Sequence, residues 1–261
     1  METDPKKSLG QHWLNDNESL EAICDAAAVK ANDKVLEIGP GQGSLTKRLL
    51  NRGAKVIAVE YDKSLIDNLR DSLKGDIKIE YGDIRKYNFS KLPKDYKLVA
   101  NIPYYLTSYL LRILTDNKHN KPAMAALLVQ KEVAQRIAAK PGDMSLISIF
   151  AQYYYKVSLG QIISSNLFIP LPKVDSQILC LERRVEPLFT DIPADEFFQV
   201  VKAGFSQRRK TLVNNLIASL RLSKERAIAA VAESKLDLAI RAQALTLDNW
   251  YDITLKLVNK T

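Results

Sequence analysis

The stretch KVLEIGPGQG, residues 34–43, decides the fold of this chain. Its first five residues have the apolar character of a buried strand. Gly39, Gly41 and Gly43 then form a tight GxGxG turn, because glycine lets the backbone bend sharply and lets a ligand approach closely. The leucine-rich segment 45–53 follows with helical spacing. A buried strand that enters a helix through a glycine-rich turn indicates an α/β fold.

Further apolar segments continue the alternation of strand and helix outward from this stretch. We predict strands at 55–60, 76–83, 96–101 and 125–130. Two later segments, 151–163 and 176–184, carry β-branched and aromatic residues and flank a proline-rich loop, so we predict them as the last two strands. Short strands separated by helices predict a mostly parallel sheet with helices on both faces.

A change of pattern near residue 185 indicates a second domain. Beyond it, apolar residues recur at helical spacing through 197–220, and the rest of the chain keeps this helical character. We therefore predict two domains, with the sheet in 1–185 and a small all-helical domain in 186–261.

The composition narrows the class of protein. The chain has 261 residues, of which 46% are hydrophobic and 26% charged, as expected for a folded globular protein. Lys and Arg outnumber Asp and Glu by 38 to 30, which fits a polyanionic partner or a basic solvated surface. No apolar run resembles a membrane span or a signal peptide, and two cysteines without a CxxC pair argue against a zinc site. We expect a cytoplasmic protein without membrane attachment.

Four candidate residues stand at the predicted carboxyl ends of strands, namely Gly39, Glu60, Asp83 and Asn101. In open parallel sheets these ends share one edge, and ligands bind beyond it. The GxGxG spacing differs from the GxGxxG of dinucleotide sites, which favours a nucleoside ligand without a pyrophosphate. Glycine-rich turns also occur where nothing binds, so the turn carries weight only together with the other three residues.

Two of these residues are carboxylates with distinct expected partners. Glu60 follows Gly39 by 21 residues, a position from which an acid accepts hydrogen bonds from both ribose hydroxyls. Asp83 could accept a hydrogen bond from an adenine amino group. Each has a structural alternative, a solvated strand-end carboxylate for Glu60 and a helix N-cap for Asp83.

The fourth strand end, Asn101-Ile102-Pro103-Tyr104, carries the expected chemistry. An adenine N6 amine is a poor nucleophile, because its lone pair is delocalised into the ring. Hydrogen bonds from the amine to the Asn101 side-chain oxygen and to a backbone carbonyl of Ile102 or Pro103 would hold it towards tetrahedral geometry. Tyr104 offers a ring face for a flipped base. The alternative is a strand-terminating turn with a core tyrosine.

The reaction expected at this amine is transfer of a methyl group from a sulfonium donor. This reaction requires neither a general base nor a metal. The sulfonium is already an activated leaving group, so positioning and alignment can supply most of the rate effect. His12 and His119 are isolated from other ligand-type residues, and we predict no metal site.

Ordered segments along nearly the whole chain match one known family. They are KKSLGQHWL (6–14), VLEIGPGQGSLT (35–46), VIAVEYD (56–62), GD (82–83), NIPY (101–104), QKEVAQR (130–136), FIPLPKVDS (168–176), FSQRRKTL (205–212) and RAQALTLDNWYDI (241–253). On these segments the sequence resembles the bacterial small-subunit ribosomal RNA adenine dimethyltransferases, the kasugamycin-sensitivity methylase group.

The resemblance implies a class I, Rossmann-like methyltransferase with a seven-stranded sheet and a helical C-terminal domain. It implies S-adenosylmethionine as the methyl donor and S-adenosylhomocysteine as the product. It also implies two adjacent adenosines near the 3′ end of small-subunit rRNA as targets, each receiving two methyl groups. The rRNA would belong to an assembling small ribosomal subunit, and we expect the enzyme to be a monomer.

The resemblance also extends the set of site residues. The donor-binding residues that it implies are His12, Leu14, Gly39, Gly41, Glu60, Asp83 and Asn101. Asn101 and Tyr104 would hold the target base, and Phe168 is expected as a second stacking surface, with a packing role as its alternative. The family usually has Asn and Phe in a GQNFL segment, where this chain has His12 and Trp13. An imidazole can replace one amide hydrogen bond, though with different geometry.

A basic cluster lies in the predicted helical domain. Residues 197–224 contain six basic residues and no acidic one. We expect Lys202, Arg208, Arg209 and Lys210 to bind RNA phosphates. A solvated helix face is the alternative.

Three other functions fit parts of this pattern. A large-subunit rRNA adenine dimethylase that confers macrolide resistance shares the glycine-rich turn and an NIPY-type motif, although FSQRRKTL and the closing RAQAL segment favour the small-subunit group. A largely non-catalytic ribosome assembly factor would dock on the immature subunit without using the NIPY chemistry. A nicotinamide-dependent dehydrogenase is disfavoured by the GxGxG spacing.

Overall fold

The structure is a computed structural model that describes residues 4–116 and 120–258. The chain forms two units. The first contains the residues up to 135 together with Lys156–Arg183, and the second contains Arg136–Tyr155 and the residues from Arg184 onward. Segment 136–155 thus belongs to the second unit, although it precedes the predicted boundary near 185. The assignment of one domain to the donor and the other to RNA stays a prediction.

One sheet organises the first unit. The strands of the described residues are β1 Trp13–Leu14, β2 Lys34–Ile38, β3 Lys55–Glu60, β4 Ile77–Tyr81, β5 Lys97–Asn101, β6 Met124–Gln130, β7 Tyr155–Ile163, β8 Phe168–Ile169 and β9 Ser176–Arg183. Seven of them form the sheet, in the order β4-β3-β2-β5-β6-β9-β7. The neighbours from β4 to β6 run parallel, whereas β6 and β9 are antiparallel. The predicted α/β class with a seven-stranded, mostly parallel sheet is confirmed.

Helices alternate with these strands and then replace them. They are α1 Asn17–Ala26, α2 Ser44–Asn51, α3 Lys63–Ser72, α4 Thr107–Thr115, α5 Lys131–Ile137, α6 Leu146–Tyr154, α7 Ala194–Gly204, α8 Leu212–Leu220, α9 Lys224–Glu233 and α10 Leu247–Val258. Beyond residue 184 the described chain is helical, as its sequence pattern predicts. No helix in the described ranges combines the length and the apolar character that a membrane span requires.

The order of the strands reverses at the centre of the sheet. β3 and β4 lie on one side of β2, and β5 and β6 lie on the other. At such a reversal the connections after the two central strands leave in opposite directions, which opens a crevice at the carboxyl edge. The glycine-rich turn follows β2 and Asn101 ends β5, so the topology brings both to this crevice.

A short ribbon outside the sheet joins two distant parts of the first unit. β1 pairs antiparallel with β8, so that Trp13 lies opposite Ile169 and Leu14 lies opposite Phe168. Leu14 and Phe168 are both buried in the apolar cluster beneath the ribbon. The ribbon therefore ties the N-terminal segment to the proline-rich loop.

Two sequence predictions of secondary structure are wrong in part. Segment 151–154 is helical rather than extended, because a capping box at Ser145 starts α6 and its apolar residues continue the helix. Segment 197–220 is two helices, since α7 ends at Gly204 and the Thr211 side chain caps the start of α8. The basic residues between them lie in a loop rather than on a helix face.

The helices of the second unit pack around aromatic side chains. The ring of Tyr153 stacks on that of Phe197 at a centroid distance of 5.1 Å, and Phe205 stacks on Trp250 at 5.5 Å. Trp250 is fully buried, and Gly204 on α7 lies against it. A Cβ atom at Gly204 would stand 2.3 Å from the indole, which is far inside van der Waals contact.

The Gly204→Ala variant is therefore expected to unfold more easily than the wild type, by about 1–3 kcal/mol, because an added methyl overpacks a filled core. The higher helix propensity of alanine offsets about 1 kcal/mol of this at most. Urea unfolding followed by circular dichroism measures the difference. Gly82→Ala is the matched control, since a Cβ atom there meets nothing within 4 Å. Equal stability of the two variants would contradict the packing described here.

Candidate functional site

A cavity of about 1090 Å³, including space open to solvent, lies at the carboxyl edge of β2, β3 and β5. Tyr104 lines the cavity, and so does every predicted donor-site residue. The donor-site residues are His12, Leu14, Gly39, Gly41, Glu60, Asp83 and Asn101. The wall also includes Glu37, Arg85 and the N-terminal residues from Leu9 onward. The fold thus brings the glycine-rich turn and the NIPY segment to one concave site.

The glycine-rich turn leaves space for a ligand close to its backbone. Gly39, Gly41 and Gly43 have φ angles of +66°, +59° and +82°, which favour glycine because other residues are strained there. A Cβ atom at Gly39 would meet nothing within 4 Å, so this residue faces open space. At Gly41 the indole of Trp13 would lie 3.4 Å from such an atom, so Trp13 covers the turn from the other side.

Glu60, at the end of β3, is fixed by backbone donors. Its carboxylate accepts the N–H of Gly41 at 3.1 Å and the N–H of Asp62 at 2.8 Å. Burial raises the pKa of this carboxyl, and the backbone hydrogen bonds oppose that rise. Because each carboxylate oxygen has two lone pairs, Glu60 keeps acceptor capacity for a ligand hydroxyl.

Glu37 is a second acid in the cavity wall that sequence reasoning missed. It is 1% exposed, and no donor among the described residues reaches its Oε2 atom. Burial raises the pKa of its carboxyl to about 8. Burial therefore favours the protonated form, which could donate a hydrogen bond. The only sequence signal is an acid inside an otherwise apolar strand, immediately before the glycine-rich turn.

Asp83 has the capping role that was its structural alternative, and it still lines the cavity. Its carboxylate accepts the backbone N–H of Arg85 at 2.9 Å and starts a short 3-10 turn, so β4 ends before it, at Tyr81. The guanidinium of Arg85 donates to the same carboxylate at 2.6–3.0 Å. These hydrogen bonds lower the pKa of Asp83 and keep it ionised. A charged acceptor therefore stands at this edge.

Asn101 and Tyr104 are held in place by separate hydrogen bonds. The Asn101 amide donates its Nδ2–H to the His12 carbonyl at 3.2 Å. This hydrogen bond uses the amide nitrogen and not the amide oxygen. The Tyr104 hydroxyl shares a hydrogen bond with Ser176 Oγ at 3.0 Å. The His12 ring stacks near that of Tyr104 at a centroid distance of 5.8 Å, and its Nδ1–H donates to Pro170 O at 2.7 Å.

Phe168 does not have the placement expected of a stacking surface. It is 2% exposed, it packs in the apolar cluster with Leu14, and it is absent from the cavity wall. This burial favours the packing role that was the alternative for Phe168, and a stacking role stays a prediction.

The predicted RNA-binding residues lie in the second unit. Arg208, Arg209 and Lys210 are exposed in the loop between α7 and α8. Lys202 is exposed on α7, with its ammonium 5.6 Å from the ring centroid of Phe150. These cations are accessible to a phosphate backbone.

Metal-ligating side chains do not cluster in the described part of the chain, where no three His, Cys, Asp or Glu residues could hold one ion. His12 is bonded to the Pro170 carbonyl through its ring, as noted above. His119 lies outside the described residues.

The chain is similar to proteins of one family over nearly its full length. The family model described as ribosomal RNA adenine dimethylase matches residues 3–258. A protein of Dehalococcoides mccartyi named ribosomal RNA small subunit methyltransferase A is 40% identical over 256 residues, covering 96% of this chain and 88% of that protein. A protein of Clostridium botulinum with the same name is 38% identical over 251 residues, covering 94% and 90%.

Two solved structures share the fold over nearly all of this chain. The 23S rRNA methyltransferase ErmE has a TM-score of 0.77 and 25% identity, with 94% of this chain and 99% of that chain covered. A dimethyladenosine transferase from Plasmodium falciparum has a TM-score of 0.76 and 27% identity, with 95% and 98% covered. The match of the family model and of these relatives shows that the chain belongs to the ribosomal RNA adenine dimethylase family.

Proposed function

We propose that this protein transfers methyl groups from S-adenosylmethionine to the N6 amines of two adjacent adenosines near the 3′ end of small-subunit rRNA. Each adenosine receives two methyl groups during assembly of the small subunit. The observation that carries the proposal is the meeting of the glycine-rich turn, Glu60, Asp83 and Asn101 in one cavity. Membership of the adenine dimethylase family and the names of its relatives at about 40% identity support the substrate.

The cavity fits a nucleoside donor. Open space above Gly39 admits a ligand against the backbone, and the carboxylate of Glu60, which lines the same cavity, would accept ribose hydroxyls. Asp83 offers a charged acceptor for the adenine amino group, while His12 and Leu14 close the cavity from the N-terminal side. S-adenosylmethionine, when bound, supplies a methyl group on a positively charged sulfur and leaves as S-adenosylhomocysteine.

Asn101 and its neighbours would orient the target amine. The Asn101 oxygen accepts one amine hydrogen, which turns the nitrogen lone pair towards the methyl carbon. The second contact is to the carbonyl of Ile102 or Pro103; the Pro103 carbonyl already accepts the N–H of Leu106 at 2.9 Å, which favours Ile102. Tyr104 supports the flipped base with its ring. The amine proton becomes acidic only after transfer and leaves to water, so positioning provides most of the rate effect.

RNA binding is assigned to the helical residues 186–261. The exposed Lys202, Arg208, Arg209 and Lys210 would contact phosphates, which fixes the substrate without reading its bases. The surplus of basic over acidic residues supports a polyanionic partner. We further propose that the protein acts in the cytoplasm, as a monomer and without a metal.

Replacing Arg208 and Arg209 together by alanine is expected to weaken binding to small-subunit rRNA and to reduce the salt slope by about two, because each lost phosphate contact lowers the slope by about one. Filter binding across a range of KCl concentrations measures this slope. Lys91→Ala, which removes an exposed cation of the first unit, outside the basic cluster, is the control. An unchanged slope would mean that the two arginines belong to an ordinary solvated surface.

The substrate is tested by offering both ribosomal subunits. The protein is incubated with labelled S-adenosylmethionine and either unmethylated small or large subunits, and the modified nucleosides are mapped by mass spectrometry. We expect N6,N6-dimethyladenosine at two adjacent positions of the small-subunit rRNA. Methylation of large subunits alone would favour the macrolide-resistance alternative, and no methylation of either would favour an assembly factor.

A further inference from the structure

Asp62 contacts three parts of the first unit, namely the start of α3, the N-terminal segment and Glu60. It lies just after β3, where its Oδ1 atom accepts the N–H of Ser64 at 3.0 Å and caps α3. The same carboxylate accepts Lys6 Nζ at 2.7 Å and Gln11 Nε2 at 3.2 Å. Its own N–H donates to Glu60 at 2.8 Å. The side chain of Asp62 therefore joins a helix start to the N-terminal segment, and its backbone N–H contacts the buried acid of the cavity.

The N-terminal segment that Asp62 contacts forms part of the cavity wall. We call residues Lys6–Leu14 the strap, since Leu9 through Leu14 all line the cavity. One end of the strap is fixed by the pairing of β1 with β8. The other end is fixed at Asp62, which accepts hydrogen bonds from Lys6 and Gln11. These two residues also bond to each other, since the Lys6 N–H donates to Gln11 Oε1 at 2.7 Å.

The charge of Asp62 depends on this contact. Its side chain is 4% exposed and that of Lys6 is 46% exposed. Burial alone would raise the pKa of Asp62, but hydrogen bonds from Lys6 and Ser64 outweigh it and lower the pKa to about 2. A buried carboxylate that stays ionised needs a counter-charge, and in the described residues the ammonium of Lys6 is the cation in contact with it.

We propose that Asp62 is a positioning residue that fixes the strap over the cavity, and that it thereby sets the affinity of the cavity for its nucleoside ligand. Only the identity of that ligand rests on the proposed function. Asp62 acts through the strap, and its contact with Glu60 is a backbone N–H that Asp62→Asn retains.

Asparagine at position 62 separates this role from helix capping. Asn and Asp are equally good N-caps, so Asp62→Asn keeps the acceptor for Ser64 while it removes the charge that Lys6 needs. Lys6→Gln removes the same ion pair from the other side, together with the hydrogen bond from Lys6 Nζ to Ser64 Oγ at 2.8 Å, and it leaves the Asp62 cap of α3 in place. Asp71→Asn, at an exposed carboxylate of the same helix, is the matched control.

Limited trypsin digestion of the ligand-free protein tests the strap directly. The Lys7–Ser8 bond is present in every variant, and its cleavage is followed by intact-protein mass spectrometry. We expect Asp62→Asn and Lys6→Gln to be cleaved there roughly three- to tenfold faster than the wild type, because cleavage tracks the open fraction of the strap. Asp71→Asn should match the wild type. Wild-type cleavage rates in both Asp62→Asn and Lys6→Gln would overturn the proposal.

Calorimetry with S-adenosylhomocysteine tests the link to the cavity. Both single variants should raise the Kd by roughly three- to tenfold, and the double variant should be no weaker than the Asp62→Asn variant, since the two residues form one contact. Independent, multiplying effects of the two substitutions would overturn the proposal. If the wild type itself does not bind S-adenosylhomocysteine, the proposed donor is wrong, and the trypsin result still decides whether Asp62 fixes the strap.

Discussion

The Asn101→Ala variant is expected to lose methyl transfer by about 100- to 1,000-fold, because the reaction depends on a correctly aligned amine and a misplaced one costs about this much. Alanine removes the amide oxygen proposed to accept the amine hydrogen, and it also removes the contact with the His12 carbonyl. Single-turnover methylation of small subunits under saturating donor measures the chemical step.

The methylation rate of the Asn101→Ala variant reports on alignment of the amine only if the variant still binds its substrate. We expect rRNA to bind the Asn101→Ala variant with an affinity close to that of the wild type, and the saturating donor offsets any loss of donor affinity, since Asn101 is also a predicted donor-site residue. Asn68→Ala, at an exposed asparagine on α3, is the control and should retain full activity. A wild-type single-turnover rate in Asn101→Ala would show that the amide does not orient the amine.

Removal of the Tyr104 ring is expected to have the second largest effect. Tyr104→Ala should lower single-turnover methylation by roughly 5- to 150-fold, which corresponds to the loss of one base–aromatic stack. Tyr104→Phe keeps the ring and should lose much less, because only the hydroxyl contact with Ser176 at 3.0 Å is removed. The comparison is made with the same subunits and saturating donor.

Ser176→Ala separates the hydroxyl contact from the ring. This variant removes the partner of the Tyr104 hydroxyl and should behave like Tyr104→Phe. Equal losses in Tyr104→Ala and Tyr104→Phe would mean that the hydroxyl, rather than the ring face, supports the reaction. The stacking role would then be wrong.

Much of the cavity could be predicted from the sequence because three of its main parts lie at strand ends. Gly39, Glu60 and Asn101 each follow a short apolar run, and the carboxyl ends of parallel strands must meet at one edge. The strand bounds are local properties, so β3, Lys55–Glu60, is identical to its predicted range. Open space above a glycine held at positive φ, beside two buried acids, suits a bound ligand.

Features that depend on distant contacts could not be predicted in this way. Phe168 is buried because β8 pairs with β1, more than 150 residues earlier in the chain, and no local pattern encodes that pairing. The contact between Lys6 and Asp62 likewise joins residues 56 positions apart. The loop at 205–211 between α7 and α8 could not be predicted, because the apolar residues on both sides of it share one helical spacing. In the structure the Thr211 cap starts α8 as a separate helix.

The two departures from the usual family motif have physical explanations in the fold. Trp13 packs against Gly41, where a ring larger than phenylalanine covers the glycine-rich turn. The imidazole of His12 replaces an amide, and it donates to the Pro170 carbonyl while its ring lies beside that of Tyr104. Both substitutions therefore keep the strap attached to the cavity and to the proline-rich loop.

A crystal structure of the protein with S-adenosylhomocysteine tests most directly whether one cavity joins donor and target. We expect the ribose hydroxyls on the Glu60 carboxylate, the adenine amino group at Asp83, and the sulfur on the side of Asn101 and Tyr104. A ligand bound outside this cavity, or a sulfur that faces away from Asn101, would contradict the proposed arrangement.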